Sequence, residues 1–154
     1  MARAIAVTDV AEAGGTSYPA PFRAAVAGRT FRRLGDAFGL TQFGVNLVRL
    51  APGAASALRH AHSAEDEFVL VTEGTPTLIT HDGEQALAPG MVAGFPAGTG
   101  DAHHLVNRTE ADVVFLVVGT KAHERDVVTY PDDDLRVEPS PGGRRFVKAD
   151  GSPW

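Results

Sequence analysis

No cysteine occurs among the 154 residues. Disulfides, iron–sulfur clusters, thiolate zinc sites and cysteine nucleophiles are therefore excluded. No apolar run approaches the ~18 residues that a membrane span needs. The stretch from Met1 to Gly15 lacks the apolar core of a signal peptide, so the expected location is cytoplasmic. Positive charge is also short. Lys and Arg number 14 against 19 Asp and Glu, and the net charge of −5 gives no electrostatic case for nucleic acid. Two small basic clusters stand out, Arg29-Thr30-Phe31-Arg32-Arg33 and Arg144-Arg145-Phe146-Val147-Lys148. An anion or phosphate contact is their functional reading, but solvated surface beside nearby acids is the preferred one. There is no tandem repeat, no Gly-x-Ser-x-Gly elbow and no Walker-type Gly-Lys-Ser/Thr. Gly98-Thr99-Gly100 lacks the third glycine and following helix of a dinucleotide loop.

What remains is a chain with 44% hydrophobic and 21% charged residues, enough to bury a core within one domain. Its 17 Gly and 10 Pro punctuate short runs of β-formers. Strands are predicted at Phe43 to Leu50, Leu58 to His62, Glu67 to Thr72, Thr77 to Thr80, Gln85 to Ala88, Met91 to Phe95, His103 to Asn107 and Asp112 to Val118. His81-Asp82-Gly83 reads as a type I′ hairpin turn. The gaps are too short for helical crossovers, so an antiparallel sandwich or barrel is expected. By texture the chain divides into an N-terminal arm (1–40), a strand-dense barrel (41–120) and a polar C-terminal tail (121–154), with arm and tail packing on the barrel.

Chemistry concentrates between His60 and Glu67. In a strand, side chains alternate with period two. His60 and His62 therefore share a face, roughly 6–7 Å apart at Cα, as neighbouring ligands of one metal ion do. Glu67 opens the next strand, and a hairpin would return it toward both. His103 would come from a non-adjacent strand facing the same cavity. Imidazole suits Zn, Fe and Ni, and a carboxylate adds affinity for Mn and Fe. His104 points to the face opposite His103, so only one of the two can join the set. His81 and His123 read as solvent-facing.

The punctuation around these residues runs Gly53-x6-His60-x-His62-x4-Glu67-x6-Gly74, then Gly90-x5-Pro96-x-Gly98-x4-His103-x3-Asn107. This resembles the two-part signature of the cupin superfamily over residues 45–118. Two gaps depart from the common pattern: the first Gly-to-His interval is one residue longer, and Thr99-Gly100-Asp101-Ala102 lengthens the second motif. The His-x3-Asn offset selects His103 over His104. Nearly the whole chain is also similar to a group of small single-domain bacterial cupins.

The resemblance implies an all-β fold, the double-stranded β-helix or jelly-roll barrel. It implies one divalent transition metal (Zn, Fe, Mn or Ni) held by His60, His62, Glu67 and His103, with one or two positions open for a small-molecule ligand or substrate. Related cupins include dioxygenases, sugar-phosphate isomerases, lyases and oxalate-type oxidases, so the resemblance leaves the reaction open. A metal-dependent binding or sensing domain without turnover is the alternative, and a barrel without metal a third reading. Asn107, Thr72 and Gln85, with Thr80, are candidates to orient ligands. Arg59 is expected to face outward, Arg49 meets an anionic substrate if its strand face turns inward and otherwise sits on the surface, and Phe68, Phe95 and Phe115 are expected to line the barrel. The expected partners are the small molecule and a second copy of the chain in a homodimer, which the arm would support by adding a strand or covering an edge, with neither nucleic acid nor membrane.

Overall fold

Val113, Phe115 and Val117 alternate with Leu116 and Val118 along the most apolar run of the chain, and this run is the axis of the fold. In the computed structural model, which describes residues 4–154, it forms the strand at the centre of the main sheet. The strands are β1 (Glu12–Gly14), β2 (Arg29–Arg33), β3 (Phe43–Leu50), β4 (Ala61–His62), β5 (Glu67–Glu73), β6 (Thr77–Thr80), β7 (Gly83–Ala86), β8 (Val92–Phe95), β9 (His104–Val106), β10 (Val113–Thr120), β11 (Val128–Tyr130), β12 (Leu135–Ser140) and β13 (Gly143–Val147). Among the described residues, helix is confined to three short 3-10 segments. No helix among the described residues is long and apolar enough to cross a membrane.

The strands form an antiparallel jelly roll. One sheet has six strands in the order β1-β2-β3-β10-β5-β8, the second four (β13-β12-β11-β4) and the third three (β7-β6-β9). Val48, Leu50, Val69, Val71, Val113 and Phe115 of the six-stranded sheet meet Leu78 and Leu105 of the three-stranded sheet in the main core. Burying a side chain of this size contributes roughly 1.5–3 kcal/mol each. A second core joins the arm to the four-stranded sheet, packing Tyr18 and Val26 on Val128, Tyr130, Leu135 and Val137.

The eight predicted strands all contain strand residues, with shifted ends. The Leu58-to-His62 run shrinks to Ala61–His62, and His60 keeps only an isolated bridge to His103. Five further strands lie in the segments expected as arm and tail: β1 and β2 before residue 40, and β11 to β13 after residue 120. The His81-Asp82 loop does join paired strands, but among the described residues no non-glycine residue has positive φ, so it is not type I′; Gly83 takes φ 120° instead.

Two face assignments are corrected. Val45, Leu47 and Arg49 share the outer face of β3, and the inner one carries Val48 and Leu50, because these meet the core. Arg49 lies outside, 3.2 Å from Asp112 and 3.9 Å from Glu12. Phe68 does not line the barrel. It lies next to inward-facing Glu67 and Val69, and period-two alternation turns it outward, leaving it 42% exposed. With Phe43 and Val92 it belongs to an apolar strip on the outer face of the six-stranded sheet, continued by Leu70, Leu116 and Val118 through direct strand pairing.

Candidate metal centre

Strand pairing assembles the cluster. β4 ends in His62, Glu67 begins β5, and the His60–His103 bridge brings the second-motif histidine alongside the first. The Pro96-Ala97-Gly98 turn docks on the same strand, Gly98 N–H donating to the His62 carbonyl at 2.9 Å. Donor atoms of His60, His62 and Glu67 all lie within 4.8 Å of one another. The His60 ring centroid stands 5.1 Å from that of His62 and 5.1 Å from that of His103. His103 approaches through Glu67, its Nε2 lying 3.3 Å from Oε1. His104 turns away and its Nδ1 pairs with the Ala57 carbonyl at 2.9 Å. Three of the four residues named from spacing thus bring their donor atoms together, and His103 reaches them through Glu67 while His104 turns away.

Hydrogen bonds fix the imidazoles. His60 Nδ1–H donates to the Leu58 carbonyl at 2.8 Å, and His62 Nδ1–H donates to Asp126 Oδ2 at 2.7 Å. Each bond selects the tautomer whose Nε2 carries a free lone pair, which is the form a metal requires. The His103 ring stacks on Phe95, with centroids 3.4 Å apart and planes 3° from parallel. Its Nδ1 is buried and finds no hydrogen-bond partner among the described residues.

Electrostatics favour the same forms. Burial, reinforced by the neighbouring imidazoles, pushes the His60 pKa down to about 4, so the ring is neutral at ordinary pH. Burial would raise the Glu67 carboxyl, but the His103 hydrogen bond and the surrounding imidazoles outweigh it and hold the group below its usual range. A half-buried site offering neutral imidazole and an ionised carboxylate fits a divalent transition ion. The donor set and the fixed tautomers of His60 and His62 are consistent with one.

None of the four residues expected to orient ligands hydrogen-bonds to the cluster among the described residues. Asn107 is fully buried, but its amide donates to the Leu50 and Ala111 carbonyls at 3.0 and 2.7 Å while Oδ1 accepts from Thr109. It staples a loop at the barrel's edge. Thr72 lies an odd number of residues from Glu67, hence on the outer face, and its hydroxyl donates to the Val114 carbonyl. Gln85 is exposed on β7, and Thr80 caps the turn by accepting from Asp82 N–H. Arg59 faces outward as expected, in a two-pronged pair with Asp132 at 2.7 Å.

Of the two residues that spacing missed, Asp126 comes from outside the motif and Glu65 from within it. Asp126 is fully buried and accepts from His62, from Ala64 N–H at 2.9 Å and from Arg144 at 2.8 Å. Burial acts to raise its pKa, but these donors hold it below the usual range. It arrives because Val128, two residues on, pairs with His62. Glu65 is buried beside it, accepting from Ala122 N–H and lying 2.7 Å from Nδ1 of His123.

The mouth opens into three neighbouring chambers. One of about 310 Å³ is lined by His60, Glu67, Phe115, Arg29 and Arg33. Another of about 500 Å³ includes His60, His62, Tyr18, Tyr130, Arg29 and Arg33. The third, about 350 Å³, includes His62, Glu67, Glu65, His123, Lys121 and Arg33. Arg29 and Arg33 belong to the basic cluster read above as solvated surface. Period-two alternation on β2 turns both of them, with Phe31, toward the mouth instead.

Comparison with known proteins agrees with this geometry. Residues 46–119 match the cupin domain family model. A crystal structure of a sugar phosphate isomerase from a cupin superfamily, from Silicibacter pomeroyi, is 47% identical, with 99% of this chain and 96% of that chain covered and a TM-score of 0.94. A protein from Acidithiobacillus ferrooxidans, provisionally named a sugar phosphate isomerase, is 34% identical over 79% of this chain and 77% of its own, with a TM-score of 0.73. The polyketide cyclase RemF from Streptomyces resistomycificus shares the fold at 23% identity over 78% of this chain and 80% of its own, with a TM-score of 0.65. No curated protein matches the chain. With a shared architecture over nearly its full length and the family's motif in register, this chain belongs to the cupin superfamily.

Proposed function

We propose that this protein is a metal-dependent isomerase of a small phosphorylated sugar. One observation carries the reading: a His/Glu cluster with its tautomers fixed, opening onto chambers large enough for a small molecule. The names of the Silicibacter pomeroyi and Acidithiobacillus ferrooxidans relatives support the reaction class. His60, His62, Glu67 and His103 would hold the ion. When bound, it would supply Lewis acidity to a carbonyl or hydroxyl oxygen of the sugar.

The chain must then move a proton. In an aldose–ketose interconversion, a C–H proton leaves the carbon beside the carbonyl and a proton is added to the former carbonyl carbon. The hydroxyl proton passes to the other oxygen, and no oxidant is consumed. His123 is placed for the transfer. It is exposed, lines the chamber shared with His62 and Glu67, and is steadied through Nδ1 by buried Glu65 at 2.7 Å. An imidazole held in this way serves as a general base worth roughly 10²–10⁴ in rate. Asp126 and the Leu58 carbonyl orient His62 and His60, and Phe95 shields one face of His103 from water.

The test is metal content after purification without chelators, followed by isomerase assays on small sugar phosphates with the identified metal. About one equivalent of metal and metal-dependent interconversion are expected. His62→Ala should lose the metal, and His123→Gln should keep it while losing turnover. Oxygen consumption instead of isomerisation would refute the reaction class, and a metal-loaded protein that binds sugar phosphates without converting them would make it a binding domain. A His62→Ala protein retaining a full equivalent would refute the ligand set.

We also propose that two copies associate through the outer apolar strip of the six-stranded sheet. Phe43, Phe68 and Val92 are 40%, 42% and 56% exposed there, and a patch of this kind buries itself by pairing about a two-fold axis. A monomer in sedimentation at micromolar concentration would refute it.

A further inference from the structure

The inner face of β2 carries an arrangement that the cluster does not explain. Arg29, Phe31 and Arg33 stand opposite Leu50, Val48 and Asn46, the inward residues of β3. Both guanidinium groups lie over the Phe31 ring, 5.8 and 5.2 Å from its centroid. Their neighbours on the outer face or around the mouth are neutralised: Arg32 by Glu12, Arg49 by Asp112, Arg144 by Asp126. Among the described residues, no ion pair engages Arg29 or Arg33.

Arg29 is half-buried, and leaving such a charge without a counter-ion is costly unless a ligand supplies one. Its position is nonetheless fixed. One Nη donates to the Ser56 carbonyl at 2.5 Å and the other to the Gly15 carbonyl at 3.2 Å. These acceptors hold the planar fork without cancelling its charge. Its Nε is buried and has no hydrogen-bond partner among the described residues. The nearby carboxylates are already committed, Glu67 to His103 and Asp126 to His62 and Arg144. Arg29 shares two chambers with His60, and Arg33 lines all three.

We infer that Arg29 and Arg33, set on either side of Phe31, form the subsite for the phosphate of a phosphorylated substrate whose carbon end reaches the His/Glu cluster. Guanidinium suits this task because its fork presents paired donors to phosphate oxygens. The inference rests on the isomerase reading for the remainder of the substrate, but the anion subsite itself does not require turnover.

The test uses inorganic phosphate as the probe, with chelator-treated protein so that phosphate cannot be captured by a metal, and titration by calorimetry. Wild-type protein should bind it saturably at millimolar concentration or below, more weakly as salt rises. Arg33→Met, an exposed position, and Arg29→Met should each weaken binding about 10- to 100-fold, the worth of a hydrogen bond to a charged group. Arg29→Lys, which keeps the charge but not the fork, covers the case in which Arg29→Met fails to fold, and should still bind several-fold more weakly. Metal content should be unchanged in Arg33→Met. Unaltered phosphate affinity in folded Arg33→Met and Arg29→Lys overturns the subsite, as does absence of binding to wild type. Arginine-dependent phosphate binding without isomerase activity would sustain the subsite and sink the isomerase reading. Turnover of sugar phosphates with KM unmoved by Arg33→Met would do the reverse.

Discussion

Replacing Asp126 with asparagine tests whether the cluster is built to bind metal, because Asp126 touches the cluster only through His62. Its Oδ2 accepts from both His62 Nδ1–H and Arg144, and Oδ1 accepts from Ala64 N–H. All three partners are donors. An amide offers only one oxygen, so one side of the substituted side chain must face a donor with its own NH₂. If the oxygen stays on Ala64, the amide faces His62 Nδ1. The imidazole then escapes the donor–donor clash by moving its proton to Nε2, the nitrogen a metal would need. If the oxygen stays on His62, the Ala64 N–H is left against an amide and the negative charge that stabilised the imidazole is gone. Either outcome weakens the ligand.

Loss of a carboxylate behind a metal-bound imidazole costs about 10–100-fold in metal affinity, which is about 1.4–2.7 kcal/mol. Asp126→Asn should therefore bind Zn or Mn that much more weakly in a competition titration against a chromophoric chelator. Asp126→Ala should bind at least as weakly and also unfold at lower denaturant, because Arg144 and Ala64 lose an acceptor. The control is Asp132→Asn, which removes a carboxylate paired with Arg59 on the surface and should leave affinity unchanged. A folded Asp126→Asn protein with wild-type affinity would refute the reasoning, since His62 would then not need its tautomer set from behind.

Three further perturbations have definite signs. His60 titrates near 4 in the folded chain and near 6.5 when unfolded, so between those values the unfolded state binds more protons. Its contribution is full above pH 6.5 and lost as pH falls toward 4; metal-free protein should lose about 2 kcal/mol between pH 7 and 5. Burial lowers the His104 pKa too and adds in the same direction. Urea unfolding of His60→Gln should show a shallower decline over that range, and an identical pH profile would refute the assignment. Asn107→Ala should cost about 2–4 kcal/mol, because buried partners on Leu50, Ala111 and Thr109 go unpaired. Metal stoichiometry measured on the same sample should stay intact, and its loss would restore Asn107 to the site. Gly74→Ala places a Cβ 2.7 Å from a Val113 methyl and 2.9 Å from the Asp112 carbonyl, at φ +73°. Strain and clash together should cost about 2–4 kcal/mol, and a neutral result in guanidinium unfolding would show that the β5–β6 turn can relax.

The barrel and its cluster were readable because their determinants are local. Period-two alternation fixes Thr77–Thr80 to the residue, and glycine and proline bracket β5, β8 and the histidine loop. The His103 choice followed from spacing to Asn107, although Asn107 turns out to serve a loop and not the cluster. The offset was informative because the residues share a strand–loop unit, independent of what Asn107 does there. Faces were harder. Val45, Leu47 and Phe68 alternate as well as Val48 and Leu50 do, and an apolar strip on each side of β3 gives the pattern no preferred phase. Only the sheet partners decide which strip is core.

Charge was the least readable property, for a related physical reason. In β2 the inner residues Arg29 and Arg33 and the outer residue Arg32 are chemically identical, so composition cannot tell a guanidinium that meets Glu12 from one that meets no carboxylate. The distinction arises when β1 pairs with β2 on one side and the chambers open on the other. Asp126 is similar: it sits in a polar stretch and acquires its role only because β11 pairs with β4. Both lie outside residues 46–119, the span the family model matches. The motif therefore supplies the candidate ligands, while the flanking segments supply Asp126 behind His62 and the arginines that line the mouth. Two chains sharing the motif but differing in β2 should differ in substrate before they differ in metal, whereas a difference that displaces Asp126 should reach the metal first. Exchanging β2 alone is the experiment that separates those two layers.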